Sequence, residues 1–153
     1  MFGLSLSETT TLPLAGATWT IGLLPLAKHD ELTDAVDDAN RPFRAHARAH
    51  LRADGALDQA AMNACDECTA LLATAMRRLR PVYREAVRWG VRGCDALAVT
   101  TESAELAGRT YPVLAAAIVE RLARVGGGSL VQRLGVAVLD ANRLDEREVL
   151  GFK

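Results

Sequence analysis

Cysteine, lysine and aromatic residues are all scarce in this chain, and each scarcity removes a class of protein. Three cysteines in 153 residues are too few, and odd in number, for a disulfide framework, so a reducing, cytoplasmic site of synthesis is expected. The first residues lack the basic and continuous apolar regions of a signal peptide. No apolar run reaches the roughly 18 residues that would mark a membrane-spanning helix. A net charge of -1, from 18 basic and 19 acidic side chains, excludes a global attraction to nucleic acid or to an anionic membrane. Aromatic residues make up only 5%, which disfavours a β-sandwich core.

What is abundant is alanine, with 27 residues, and arginine, with 16 against two lysines. Alanine has the highest helix propensity and lets helices pack closely, so the expected fold is mainly α. Half the residues are hydrophobic, enough for one domain spanning residues 1–153. Its front, residues 8–26, reads differently. Trp19, Ile21 and Leu23 alternate with Thr18, Thr20 and Gly22 after an Ala15-Gly16 turn, the period of a small β-hairpin. The fold class is therefore a helical body over 29–153 carrying an N-terminal hairpin, an α+β arrangement.

Within the body, Leu32, Ala35, Val36 and Ala39 mark an amphipathic helix that Pro42 should close, with a short second helix carrying Phe43, Ala47 and Leu51. From 57 to 79, Leu57, Ala61, Ala64, Cys65, Cys68, Leu71, Leu72, Ala75, Met76 and Leu79 form one stripe that predicts an unbroken helix. Pro81 should kink or break it, and Gly90 and Gly93 should end its continuation. Residues 94–112 show no sustained period and read as a structured connection with one short strand or helical turn near 96–99. Helices are expected from 113 to 125 and again after Gly126-Gly127-Gly128, the latter capped by Ser129, with a final capping turn at Asp145 and Glu148.

Candidate chemistry is sparse. His46 and His50 share a helix face, and Cys65 and Cys68 form a C-x-x-C, a donor set that suits tetrahedral zinc. The cysteines fall on the apolar stripe of the expected 57–79 helix, however, where cysteine packs as a small hydrophobe, so core packing without a metal is the expectation. Arg77, Arg80, Arg84, Arg88 and Arg92 recur at helical steps as a basic stripe, but only Tyr83 and Trp89 interleave with it. An ion-paired surface, with the acidic 30–38 segment available as counter-charge, is preferred to nucleic-acid binding. No G-x-S-x-G elbow is present, and the three glycines lie between helices with no preceding strand to make a phosphate cradle. His29 reads as a helix-start residue and Glu102 and Glu105 as a surface pair. No catalytic residue, no cofactor and no enzyme activity are expected.

Three stretches resemble small proteins encoded in the tail-morphogenesis region of tailed bacteriophages, the tail assembly chaperones and minor tail proteins. They are Leu12-Pro13-Leu14-Ala15-Gly16-Ala17-Thr18-Trp19-Thr20-Ile21 with Leu24-Pro25-Leu26, then Val87-Arg88-Trp89-Gly90-Val91-Arg92-Gly93, and finally residues 130–142 with Leu144-Asp145-Glu146-Arg147-Glu148. The resemblance implies a non-catalytic chaperone in the host cytoplasm that binds the tape-measure or tail-tube protein. A minor structural protein retained in the virion is the alternative. A helical nucleic-acid-binding regulator using the 77–92 arginine stripe is the rival from another class. Partner contacts are expected at Trp19, Arg84, Arg88, Trp89 and Arg92. Acidic and basic segments on one neutral chain also suit a homo-oligomer.

Overall fold

The first hairpin is set by its turn. In the computed structural model, which describes residues 9–143, strands β1 (Thr9–Leu14) and β2 (Ala17–Gly22) are joined by two residues, Ala15 and Gly16, at φ 53° and 76°. Two successive positive φ values give a turn whose twist matches that of the paired strands, and glycine takes one of them without steric cost. Pro13 lacks a donor and lies in β1, an edge strand of the sheet ordered β1-β2-β3, as the sequence leads one to expect. The terminal capping turn at Asp145 and Glu148 lies outside the described residues.

Helix α1 (Leu26–Ala47) starts after Pro25 and continues through Pro42, so the expected stop there and the separate second helix are both corrected. Pro42 is on the exposed face, while Leu32, Ala39 and Ala47 are buried along the same helix. Burial on both sides of the proline outweighs the cost of about 3 kcal/mol that proline imposes in a helix interior. A 3₁₀ turn, Arg48–His50, follows.

The 57–79 helix is corrected too. A short helix, α2 (Gln59–Asn63), starts where the Asp58 carboxylate accepts from Ala61 N at 3.1 Å, and the chain then breaks. Helix α3 (Asp66–Gly90) begins afresh with Cys65 as its N-cap. Asp66 and Glu67 lie in its first turn, where carboxylates are stabilised by the free N–H groups. Pro81 is exposed and α3 runs past it without ending, with Ala75, Leu79, Ala86 and Val87 buried.

Helix α3 feeds directly into β3 (Val91–Cys94), which pairs antiparallel with β2 and closes a three-stranded sheet. The stretch expected to be mostly irregular holds a second hairpin, β4 (Thr101–Leu106) and β5 (Arg109–Leu114). Its turn, Ala107-Gly108, has φ 51° and 77° and repeats the geometry of the first. Val113 and Leu114 belong to β5, so α4 (Ala116–Val125) begins later than expected. Gly126 ends α4 and α5 (Gly127–Ala141) follows at once; Ser129 lies inside α5 and does not cap it.

The principal core joins Trp19, Ile21 and Leu24 from the front, Leu32 from α1, Val87 and Trp89 from α3, and Leu134 and Val138 from α5. Two glycines bring α3 and α5 close. A Cβ on Gly90 would collide with the Val138 side chain, and one on Gly135 would lie 2.7 Å from Tyr83 Cβ and 2.9 Å from Tyr83 Cα. Alanine at 135 would gain about 1 kcal/mol of helix propensity. Overpacking against a backbone atom costs about 1–3 kcal/mol. Gly135→Ala is therefore expected to destabilise the protein by up to about 2 kcal/mol, measured as a lower urea midpoint with an unchanged slope. An unchanged or raised midpoint would show that the two helices separate freely.

Candidate functional site

The described residues of the three stretches that carry the family resemblance, up to Asn142, pack on one another. Trp19 on β2 lies opposite Cys94, and Ile21 opposite Val91, so the hairpin and the end of α3 share a sheet. Arg92 donates to Leu23 O at 2.8 Å and to Trp89 O at 2.9 Å. From α5, Val138 packs on Gly90, and the Asn142 side chain accepts from Leu24 N at 2.6 Å while donating to Gly22 O at 3.2 Å.

This placement corrects part of the expected contact surface. Trp19 and Trp89 are 4% and 3% exposed, so both are core residues. Trp19 Nε1 donates to Leu14 O at 3.0 Å, which satisfies its one donor within the hairpin. Trp89 Nε1 donates to Glu85 at 2.7 Å, the Lys28 ammonium lies 4.7 Å from its ring centroid, and Tyr111 is tilted against it at 5.7 Å. Arg92 is half-buried, and desolvation draws its guanidinium down from the usual range. It ties the end of α3 to the segment between β2 and α1.

Arg84 is exposed and paired with Glu120 at 2.8 Å, while Arg88 is half-buried and paired with Glu102 at 3.3 Å. The acidic segment expected to face them instead pairs within α1, Asp37 with Arg44 and Asp38 with Arg41. With Arg92 turned inward, the five arginines do not form one continuous exposed stripe. His29 lies in the first turn of α1, 3.8 Å from the Asp30 carboxylate. Beside Arg84, a groove of about 450 Å³ runs between α3 and the α4–α5 pair. Met76, Ala123 and Val131 supply apolar lining and Arg80, Tyr83 and Arg84 polar lining. The sequence pattern put Met76 in the core stripe; it is a half-buried groove residue.

The second constellation lies where the end of α1 meets the start of α3. The His46, His50, Cys65 and Cys68 donor atoms all fall within 4.8 Å of one another. The break between α2 and α3 brings this about: Cys65 sits on a tight turn as an N-cap, its Sγ accepting from Cys68 N at 3.2 Å. His46 Nε2 is 3.4 Å from Cys65 Sγ, and His46 Nδ1 is 3.8 Å from the Glu67 carboxylate. Hydrogen bonds with the Cys68 thiol, with His46 and with Cys68 N–H draw the Cys65 thiol down to about 6. Burial, then Cys65, pushes the Cys68 thiol up to about 11. His46 is raised, chiefly by its bond to Cys65. Cys68 is buried in the first turn of α3, on the apolar side the sequence suggested, but Cys65 caps that helix from outside instead of lying within a 57–79 helix, so the ground for dismissing a ligand set is removed.

Among the described residues no helix is long and apolar enough to cross a membrane. No protein-family model, no curated protein and no solved structure matches the chain.

Proposed function

We propose that this chain is a tail assembly chaperone of a tailed bacteriophage, a non-catalytic protein that holds tape-measure or tail-tube segments in the host cytoplasm before the tail is built. One observation carries this reading. The described residues of the three stretches that resemble the family, widely separated in sequence, form a packed unit in which β2 pairs with β3 and Asn142 bonds to Gly22 and Leu24.

The groove beside Arg84 suits the work. Met76, Ala123 and Val131 offer an apolar floor to an amphipathic segment, while Arg80 and Arg84 attract acidic residues flanking it. Covering such apolar segments keeps an unassembled partner from aggregating. The contact set of this reading is thus Met76, Arg80 and Arg84, with both tryptophans holding the scaffold behind them.

The test is quantitative mass spectrometry of an induced lysate beside the particles purified from it. A chaperone is abundant in the lysate, co-purifies with a tail protein and is absent from particles. Met76→Glu, which puts a charge into the groove of a half-buried position, should reduce that co-purification at least about tenfold while the circular dichroism spectrum is kept. A fixed copy number per particle would make the protein a structural component instead, and co-purification unaffected by Met76→Glu would remove the groove from the mechanism.

A further inference from the structure

We propose that His46, His50, Cys65 and Cys68 bind one zinc ion as a closed, four-ligand structural centre that clips the end of α1 to the start of α3. Two imidazoles and two thiolates are a common zinc donor set, and four protein ligands leave no position open for catalysis. A tetrahedral ion about 2.0 Å from nitrogen and 2.3 Å from sulfur sets its donors roughly 3.3–3.8 Å apart. The His46–Cys65 edge is already 3.4 Å, and every other edge lies within 4.8 Å, so side-chain adjustments of about an ångström close the cage.

The surroundings are those of a metal site. His46 directs Nε2 to the cluster and Nδ1 towards Glu67, the carboxylate–imidazole arrangement that orients a ligating histidine. The Cys68 amide donates to Cys65 Sγ at the positive end of α3, which stabilises a thiolate there. Binding forms two metal–sulfur and two metal–nitrogen bonds and releases the thiol protons to solvent.

The fold also needs a clip at this point. Only Ala47, Met62 and Cys68 are buried in the local apolar cluster, which is separate from the principal core. That small cluster must hold the whole excursion from 48 to 65, in which Leu51 and Leu57 remain 49% and 46% exposed. Burial alone offers little there, whereas ligands on both sides of the excursion fix its two ends together.

The experiment titrates the reduced, metal-stripped full chain with Co²⁺ under anaerobic conditions, then with Zn²⁺. The expected result is one Co²⁺ per chain, with the intense visible bands of tetrahedral cobalt and a near-ultraviolet thiolate charge-transfer band, both abolished by one equivalent of Zn²⁺. Cys65→Ser and His50→Ala should each weaken binding at least about 100-fold, and Glu67→Gln about tenfold. Cys94→Ser, which alters the cysteine in β3, should leave stoichiometry and spectrum unchanged. The cobalt spectrum of the unmodified chain decides even if a ligand variant fails to fold. Less than half an equivalent bound, a weak octahedral spectrum without thiolate charge transfer, or undiminished affinity in a folded Cys65→Ser protein would each overturn the proposal.

Discussion

Trp89→Ala is expected to cost about 3–5 kcal/mol, the range for truncating a buried tryptophan. That is a large share of the roughly 5–15 kcal/mol that holds a typical domain together. Three separate losses combine. The side chain leaves a cavity in the principal core, beside Tyr111. Glu85 loses the indole N–H that donates to it at 2.7 Å. Lys28, only 6% exposed, loses the aromatic face 4.7 Å from its ammonium and is left with Glu31 at 2.8 Å and Glu85 at 3.5 Å. Chemical denaturation followed by far-ultraviolet circular dichroism should show the lowered midpoint. In a double-mutant cycle, Lys28→Met should cost about 1 kcal/mol less in the Trp89→Ala background than in the unmodified chain, the part of the lysine's stabilisation that runs through the ring. A loss below about 1 kcal/mol for Trp89→Ala would contradict its place in the core. The consequence for function is direct: partner binding lost in this variant reports unfolding, and contact tests belong at Met76, Arg80 and Arg84.

The same residue shows how far sequence reading reaches. Apolar period and turn chemistry identified the front hairpin, the mainly helical body and the amphipathic face of α1, because those signals are local. Whether a tryptophan at a helix end faces a partner or the core depends on which distant element covers it, here α1 through Lys28 and β5 through Tyr111. Helix ends at prolines were misjudged for a related reason. Pro42 and Pro81 are local stop signals, and burial on either side of each, contributed by the facing helix, overrides them.

Two features were legible and overlooked. Leu106-Ala107-Gly108-Arg109-Thr110 repeats the pattern of Leu14-Ala15-Gly16-Ala17-Thr18, and both make the same two-residue turn, so the second hairpin carried the signal of the first. The start of α3 was announced by Asp66-Glu67 directly after Cys65, an acidic first turn behind a capping residue. A continuous apolar stripe masked it, since Ala64 and Cys65 satisfy a helical period whether or not the backbone is helical there. That one misplaced boundary moved Cys65 from a tight turn into a helix interior, and with it the reading of the whole histidine–cysteine cluster.

Asn142→Leu is the second substitution with a large expected effect, about 2–4 kcal/mol. Its amide group is the polar bridge between the end of α5 and the front of the chain: Oδ1 accepts from Leu24 N at 2.6 Å, and Nδ2 donates to Gly22 O at 3.2 Å and Val138 O at 2.8 Å. Val138 O keeps a second partner, the Asn142 backbone N–H at 3.2 Å, so its loss is minor. Among the described residues, Leu24 N and Gly22 O have no other side-chain partner. Both residues are buried, and each backbone group left without a partner costs about 1–3 kcal/mol. Leucine approximates the volume, which separates this penalty from a cavity term. Asn142→Asp distinguishes the two halves of the bridge, because a carboxylate still accepts from Leu24 N but cannot donate to Gly22 O. It should recover part of the loss, and the Leu24 amide should keep its hydrogen-exchange protection in Asn142→Asp while losing it in Asn142→Leu. A change under about 0.5 kcal/mol in Asn142→Leu, with Leu24 still protected, would mean that the hairpin is held to α5 by apolar packing alone.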